Sequence, residues 1–314
     1  MIAASYVKWL EAGGARSIPI PYDAPPALVE DLFGQIDGLL LPGGASDVPQ
    51  SVRYLLTLAL QASTAGDFFP VWGTCLGFEY VVQVLSNSSS PTIPVLTGGF
   101  DAYNISWPLQ SVRRRNLYNE ERIFEIVTNY NVTMNNHYKA VEPEAFQNDP
   151  KLNELFEITS TNTDRKGRSF VSTIESRHPE TFPWYGVQYH PEKNAFEYAT
   201  YPGTTIPYEA INHSDRAVEF SISLARLFVR LTNQQQQQQH PSQTTRTHAY
   251  TKPDVYPTVN TFPVETGLAF EEKYIIPSAS HWTGQTAMLA TSTVPEQNSN
   301  TARLALEATK TMQY

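Results

Sequence analysis

The chain of 314 residues contains one cysteine, Cys75, and its surroundings are those of a nucleophile. It lies in the segment WGTCLGFE, between an apolar run that predicts a strand and an amphipathic run that predicts a helix. Gly73 and Gly77 keep its neighbours small, as in sharp turns that expose a nucleophile above a sheet. The N–H groups and the dipole at the start of the helix would favour a thiolate. A lone cysteine can also be a small, buried and inert residue, but this context favours the nucleophile.

A cysteine nucleophile needs a base, and two of the seven histidines are candidates. His190, in WYGVQYHPEK, is the stronger candidate because it follows a predicted buried strand, as Cys75 does. Both residues would then lie at the carboxyl edge of the sheet, where open α/β proteins bind ligands. Glu192 could accept a hydrogen bond from the far imidazole nitrogen and so orient the ring. The alternative is a structural histidine with a solvated glutamate. His137, in MNNHYKA, is the second candidate.

Backbone N–H groups near Cys75 predict an oxyanion hole. Leu76 follows the nucleophile, so its N–H is the natural first donor. The apolar strand in GLLLPGG ends in Gly43 and Gly44, and a glycine N–H from this loop could supply the second. Donors of this kind each stabilise a transition state by roughly 3–4 kcal/mol.

The elements that would position these groups alternate between strand and helix up to Leu85, which predicts an α/β fold. We expect a mainly parallel central sheet flanked by helices. Later segments predict successive strands and then a long amphipathic helix over SDRAVEFSISLARLFVRL. We expect a compact domain at residues 1–232, a low-complexity Gln-rich linker at 233–249 and a mostly irregular or disordered tail at 250–314. The first strand of such a sheet is apparently missing, because the chain opens directly on a predicted helix.

Composition excludes several classes of function. The net charge is −9, which argues against general nucleic-acid binding. No apolar run reaches 18 residues, so no membrane insertion is expected. A single cysteine excludes an internal disulfide. The first residues lack the pattern of a signal peptide, yet four N-x-S/T triplets are candidate glycosylation sites. Their asparagines are Asn87, Asn104, Asn131 and Asn212.

Taken together, these motifs resemble the class I glutamine amidotransferase-like superfamily, which has a flavodoxin-like fold, a cysteine on a sharp turn and a late His-x-Glu. Within it they are most similar to the γ-glutamyl hydrolases, or folate conjugases, a cysteine peptidase family. Glu79 stands where amidotransferases usually carry glutamine. The segment HPEK is followed by the triplet 196–198, Phe-Glu-Tyr, which is also similar to that family. The resemblance extends over roughly residues 2–232 and includes IAASYVKWLEAGGARSIPI, GLLLPGG and TNTD.

The resemblance implies hydrolysis of γ-glutamyl bonds in folylpoly-γ-glutamates through a thioester, with no metal or cofactor. Cys75 would attack, His190 would move the proton and Glu192 would orient His190. His137 and Glu79 would bind substrate. The family implies a glycoprotein of the lysosome, the vacuole or the extracellular space, and a homodimer is compatible with it. It also implies a first strand ahead of the first helix.

Two other functions remain open from the sequence. The first is a glutaminase subunit that passes ammonia to a synthetase, although Glu79 and the HPEK segment argue against it. The second is a catalytically inactive, truncated binding protein, which would fit the late start and the Gln-rich run.

Overall fold

The computed structural model describes residues 1–86, 94–237, 262–267, 271–281 and 303–307. Within these ranges, no helix is long and apolar enough to cross a membrane.

A mixed sheet of seven strands forms the centre of the molecule. Its strand order is β2-β12-β3-β4-β9-β8-β7; the first five strands run parallel, while β8 and β7 are antiparallel to their neighbours. In that order, the strands are Arg16–Ile20, Arg303–Glu307, Gly38–Leu41, Val71–Thr74, Trp184–Val187, Ser169–Ser176 and Phe156–Thr163. The predicted α/β fold with a mainly parallel sheet is therefore confirmed, with an antiparallel edge added.

Helices cover both faces of this sheet. They are α1 Ala4–Ala12, α2 Pro26–Phe33, α3 Gln50–Thr64, α4 Leu76–Leu85, α5 Glu121–Asn129, α6 Pro143–Asn148, α7 Pro150–Leu155, α8 Lys193–Phe196 and α9 Asp215–Gln237. Successive side chains of a strand point to opposite faces, so Leu39 packs in one apolar cluster and Leu40 in the other. Likewise, Trp72 packs on Trp9 of α1 with 5.3 Å between ring centroids. The continuous apolar runs of β3 and β4 thus follow from burial on both faces.

Two small sheets complete the fold. Strands β5, Leu96–Trp107, and β6, Thr133–Val141, form an antiparallel pair that the sequence patterns did not predict. A second sheet joins β1, Ile2–Ala3, to β11, Glu272–Tyr274, and β11 to β10, Val264–Thr266. Strand β11 thus joins β1, at the start of the chain, to β10.

The position between β2 and β3 is occupied by β12, from the far end of the chain. Ala305 of β12 is in register with Ile18 on one side and with Leu39 on the other. The sequence analysis expected the sheet to lack its first strand. In the structure β12 fills the place next to β3, so the expectation is corrected at that position. Strands β10 to β12 and a short 3₁₀ helix at Ala279–His281 all lie within the residues expected to be a mostly irregular tail.

Replacing Ala305 by proline should destabilise the protein, because proline removes a backbone N–H from an interior strand. An unpaired partner in the sheet costs roughly 1–3 kcal/mol, which lowers the Tm by about 2–10 °C in a domain of this size. Thermal unfolding followed by circular dichroism measures the change. The control is Ala305→Gly, which keeps the N–H. Equal Tm values for the proline variant and the wild type would contradict the pairing of β12.

Candidate active site

Cys75 lies on a sharp turn between β4 and α4, as the sequence predicts. Its backbone has φ 51° and ψ −109°, a conformation that residues other than glycine rarely adopt. Its N–H donates to the carbonyl of Val187 at 2.8 Å, which ties the turn to the end of β9. The thiol is 5% exposed. A strained residue between a strand and a helix is the geometry of a nucleophile elbow.

The glycines beside Cys75 allow the close approach of three elements. A Cβ on Gly77 would lie 2.0 Å from the carbonyl oxygen of Leu41 at the end of β3. A Cβ on Gly73 would lie 2.7 Å from the backbone of Gly77. Larger residues at either position would therefore push α4 away from β3 and β4 and displace the thiol.

His190 and Glu192 form a buried pair just after β9. The Nδ1 atom of His190 lies 2.8 Å from Oε1 of Glu192, and both side chains are almost fully buried. The N–H of His190 donates to the carbonyl of Met134, which fixes the backbone at this point. The carboxylate therefore occupies Nδ1, and Nε2 is the nitrogen left for catalysis. The sequence prediction that Glu192 orients His190 agrees with this geometry.

His190 and Cys75 both lie close to Gly43. A Cβ on Gly43 would lie 2.7 Å from Cε1 of His190 and 3.4 Å from Cβ of Cys75. The two side chains therefore flank one glycine at the end of β3.

Tyr6 is a residue of this site that the sequence analysis missed. Its hydroxyl accepts a hydrogen bond from the N–H of Gly43 at 2.8 Å and lies 3.3 Å from Nδ1 of His190. Tyr6 is buried on the inner face of α1. In the sequence, a tyrosine on an apolar helix face looks like an ordinary core residue, so the pattern did not mark it as part of a site. The Gly43 N–H thus has a hydrogen-bond partner in this structure, and its role as an oxyanion donor stays a prediction.

Leu76 and Gly44 are the other two predicted oxyanion donors. The N–H of Leu76 is directed at the sulfur of Cys75, where it lowers the pKa of the thiol. Its role as the first oxyanion donor stays a prediction. The role of Gly44 as second donor stays a prediction.

Burial raises the pKa of the Cys75 thiol well above its ordinary value, and the charge of Glu79 adds to the effect. The Leu76 N–H and the more distant Lys193 ammonium oppose this shift without reversing it. Burial therefore opposes the effect expected of the helix terminus, and the pKa of the thiol is raised rather than lowered.

Glu79 and Gln188 lie beside the nucleophile. Burial raises the pKa of Glu79 to about 7. Gln188 donates from Nε2 to Oε1 of Glu79 at 3.1 Å, and the same nitrogen lies 3.8 Å from the sulfur of Cys75. Gln188 was not predicted, because a glutamine in a strand-end segment gives no signal of its own. The hydrogen-bonded side chains of Glu79 and Gln188 thus place polar atoms next to the Cys75 thiol.

His137 lies on β6, the strand whose Met134 carbonyl accepts the N–H of His190, and His190 is among the groups that lower the pKa of His137. Its Nδ1 donates to the carbonyl of Lys139 at 2.9 Å, and its Nε2 lies 3.3 Å from Oδ1 of Asn135. Burial lowers its pKa to about 3, so the ring is neutral at ordinary pH. These contacts make it a fixed part of the β5–β6 sheet. Its role in substrate binding stays a prediction.

Lys193 supplies a buried positive charge behind the site. Its ammonium donates to both carboxylate oxygens of Glu209 at 2.6 Å. Burial alone would lower its pKa, but the pairing with Glu209 outweighs it and raises the pKa. Glu197, also buried, has its pKa raised to about 7 by desolvation. A protonated Lys193 therefore balances several carboxyl groups.

The described residues hold no group of three or more His, Cys, Asp or Glu side chains placed to bind a metal ion.

The glycosylation candidates differ in their surroundings. Asn104 accepts a hydrogen bond from the N–H of Ala210 at 2.6 Å, and Asn212 donates to the carbonyl of Asn131 at 2.8 Å. Asn131 itself is exposed, and Asn87 lies outside the described residues. Of the three that are described, Asn131 is the most accessible acceptor.

Comparison with known proteins agrees with this geometry. A model of the class-I glutamine amidotransferase family matches residues 3–202. The chain is 36% identical over 221 residues to gamma-glutamyl hydrolase B of Dictyostelium discoideum, covering 67% of this chain and 61% of that protein. It is 36% identical over 240 residues to the gamma-glutamyl hydrolase of Rattus norvegicus, covering 73% and 70%. The corresponding enzyme of Homo sapiens is 35% identical over 239 residues, covering 73% and 70%.

Glu79→Gln should lower the pH at which Cys75 becomes reactive, because it removes a carboxylate that raises the thiol pKa. The rate of alkylation by iodoacetamide, measured from pH 5 to pH 10, reports the fraction of thiolate. The matched control is Glu175→Gln, which alters another buried carboxyl group whose pKa burial raises to about 7. Glu175 is not among the main groups that shift the Cys75 pKa. Equal shifts in both variants would contradict a local effect of Glu79.

Proposed function

This chain belongs to the γ-glutamyl hydrolases of the class I glutamine amidotransferase family, and on that premise we propose that Cys75 hydrolyses γ-glutamyl bonds of folylpoly-γ-glutamates. The observation that carries the proposal is the meeting of Cys75 with the His190–Glu192 pair across Gly43. A thiol, an oriented imidazole and a directed N–H group are the parts that acyl transfer needs.

The first half of the reaction forms an acyl-enzyme. Nε2 of His190 takes the proton of the Cys75 thiol as the sulfur attacks the γ-carbonyl carbon. Because the thiol pKa is raised, the proton leaves during the attack and not before it. The N–H of Leu76 donates to the oxygen that becomes negatively charged. The C–N bond then breaks, His190 returns the proton to the departing amine, and a thioester remains on Cys75.

The second half releases the product. His190 takes a proton from a water molecule, whose oxygen attacks the thioester carbonyl. The carbon–sulfur bond breaks, the sulfur recovers the proton from His190, and the γ-carboxylic acid leaves. In both halves the imidazole becomes positively charged, and the carboxylate of Glu192 at 2.8 Å stabilises that charge.

The same family membership supports, as further proposals, glycosylation and a location in the lysosome, the vacuole or the extracellular space. Exposure of Asn131 is compatible with glycosylation there. A homodimer also stays a proposal.

Cys75→Ala should abolish the release of glutamate, by roughly a thousandfold or more, because no other group can form the thioester. Purified protein is incubated with pteroylpentaglutamate, and the lengths of the products are read by mass spectrometry. Unchanged circular dichroism of the variant excludes a folding defect. Full activity in Cys75→Ala would contradict the mechanism.

The wild type distinguishes the alternative functions. Release of ammonia from glutamine, without cleavage of pteroylpentaglutamate, would indicate a glutaminase. No turnover of either compound would indicate an inactive binding protein.

Glu192→Gln should lower kcat by at least about tenfold with little change in KM, because it removes the charge that orients and stabilises the imidazolium. The chain offers a matched control in a second His-Pro-Glu segment, residues 178–180. There, Glu180 lies 3.6 Å from His178 in a pair that is about two thirds exposed. Glu180→Gln should leave kcat unchanged. An equal kcat in the Glu192→Gln variant and the wild type would overturn the role of Glu192.

A further inference from the structure

Four residues from the far end of the chain, 271–274, form a strap across two elements of the catalytic centre. The strap consists of β11 and the residue before it. It pairs with β1 at the start of the chain, where Ala3 is in register with Lys273. Because α1 follows β1 directly, this pairing fixes the amino end of α1.

An ion pair ties the strap to the side of α1. Nζ of Lys8 lies 2.5 Å from Oε2 of Glu272. Burial opposes the charge of Lys8, but Glu272 and the charges of two further glutamates outweigh burial and raise the pKa of Lys8. The two are Glu271, in the strap, and Glu197, directly after α8. The ammonium group on α1 therefore lies near carboxyl groups of both the strap and the turn after α8.

Two reciprocal hydrogen bonds tie the strap to the turn after α8. The N–H of Glu271 donates to Oε2 of Glu197 at 2.7 Å, and the N–H of Tyr198 donates to Oε2 of Glu271 at 3.0 Å. Each segment thus supplies one backbone donor and one carboxyl acceptor to the other. Hydrogen bonds from N–H groups to ionised carboxyl groups are stronger than those between neutral groups. The exchange therefore holds the two segments in one register.

The two elements that the strap holds converge on His190. Tyr6, on α1, has its hydroxyl 3.3 Å from Nδ1 of His190. Glu192, which directly precedes α8, lies 2.8 Å from the same nitrogen. The strap thus contacts the helix that carries one partner of the imidazole and the turn that follows the other partner.

We propose that Glu271 and Glu272 are positioning residues for His190, which act through α1 and through the turn after α8. This inference rests on the proposed function, because His190 is the base of the reaction proposed there. A small displacement of an oriented base slows the chemical step far more than it weakens the binding of substrate. The strap therefore sets kcat and leaves KM nearly unchanged.

The first test measures kcat and KM of the full chain with pteroylpentaglutamate. Glu271→Ala and Glu272→Ala each lower kcat by about tenfold with little change in KM, because each releases one of the two elements. Glu271→Gln keeps an oxygen that accepts the N–H of Tyr198, so it restores most of kcat. Thermal unfolding checks that each variant is folded. A wild-type kcat in the folded alanine variants overturns the proposal.

The matched control is Glu265→Ala in the same small sheet. Glu265 forms an ion pair with Lys273 at 3.6 Å, between β10 and β11. Its removal leaves both ties of the strap in place, so kcat stays at the wild-type value. A loss of kcat equal to that of Glu271→Ala would show a general loosening of the small sheet and would also overturn the positioning role.

An NMR measurement tests the strap without substrate. The Nδ1 proton of His190, hydrogen-bonded to the buried carboxyl group of Glu192, gives a resonance far downfield, which is assigned by its loss in His190→Gln. This resonance shifts or broadens in Glu271→Ala and Glu272→Ala, and it is unchanged in Glu265→Ala. If the wild type does not cleave pteroylpentaglutamate, the proposed function fails, and the resonance still decides the role of the strap. A wild-type resonance in both strap variants contradicts that role, even where kcat is lowered.

Discussion

The close approach of neighbouring atoms at Gly43, Gly73 and Gly77 is the constraint on which the rest of the site depends: side chains approach Gly43, and backbones approach Gly73 and Gly77. With a Cβ on Gly77 the carbonyl of Leu41 would be 2.0 Å away, so α4 can start directly over the ends of β3 and β4 only because no side chain is there. The same close packing leaves Cys75 in a strained conformation and places it beside His190. Strain of this kind persists only where the surrounding structure fixes it, and here two strands and a helix do so.

Several charged and polar groups near Cys75 act on its thiol in opposite directions. Glu79 and Glu192 both raise the pKa of the Cys75 thiol, whereas Lys193 and the N–H of Leu76 lower it. Burial is the largest of these effects, so the pKa of the thiol is raised. The proposed reaction therefore depends on His190 as the base. His190 is held by Glu192 and Tyr6, which both lie at its Nδ1, and by its own backbone hydrogen bond to Met134.

Segments beyond the Gln-rich run belong to the same structure as the site. Strand β12 pairs with β3, and β3 leads into Gly43. Glu271, just before β11, donates its N–H to Glu197 at 2.7 Å and accepts the N–H of Tyr198 at 3.0 Å. Lys8, two residues after Tyr6 on α1, forms an ion pair with Glu272. The end of the chain thus supports elements that carry Tyr6, Gly43 and the buried carboxyl groups near Lys193.

The sequence by itself determined the α/β fold, the elbow at Cys75 and the His190–Glu192 pair, because each follows from local periodicity or from neighbouring residue types. It did not predict β12, whose partners are hundreds of residues away, or Tyr6 and Gln188, whose polar atoms meet the site only through tertiary packing. The two His-Pro-Glu segments show the limit most plainly. His178 and Glu180 are exposed, whereas His190 and Glu192 are buried. The tripeptides are identical, and only the predicted strand before His190 favoured it in the sequence. The tertiary structure decided the difference in environment, because packing excludes water from the His190–Glu192 pair and leaves the other pair in solvent.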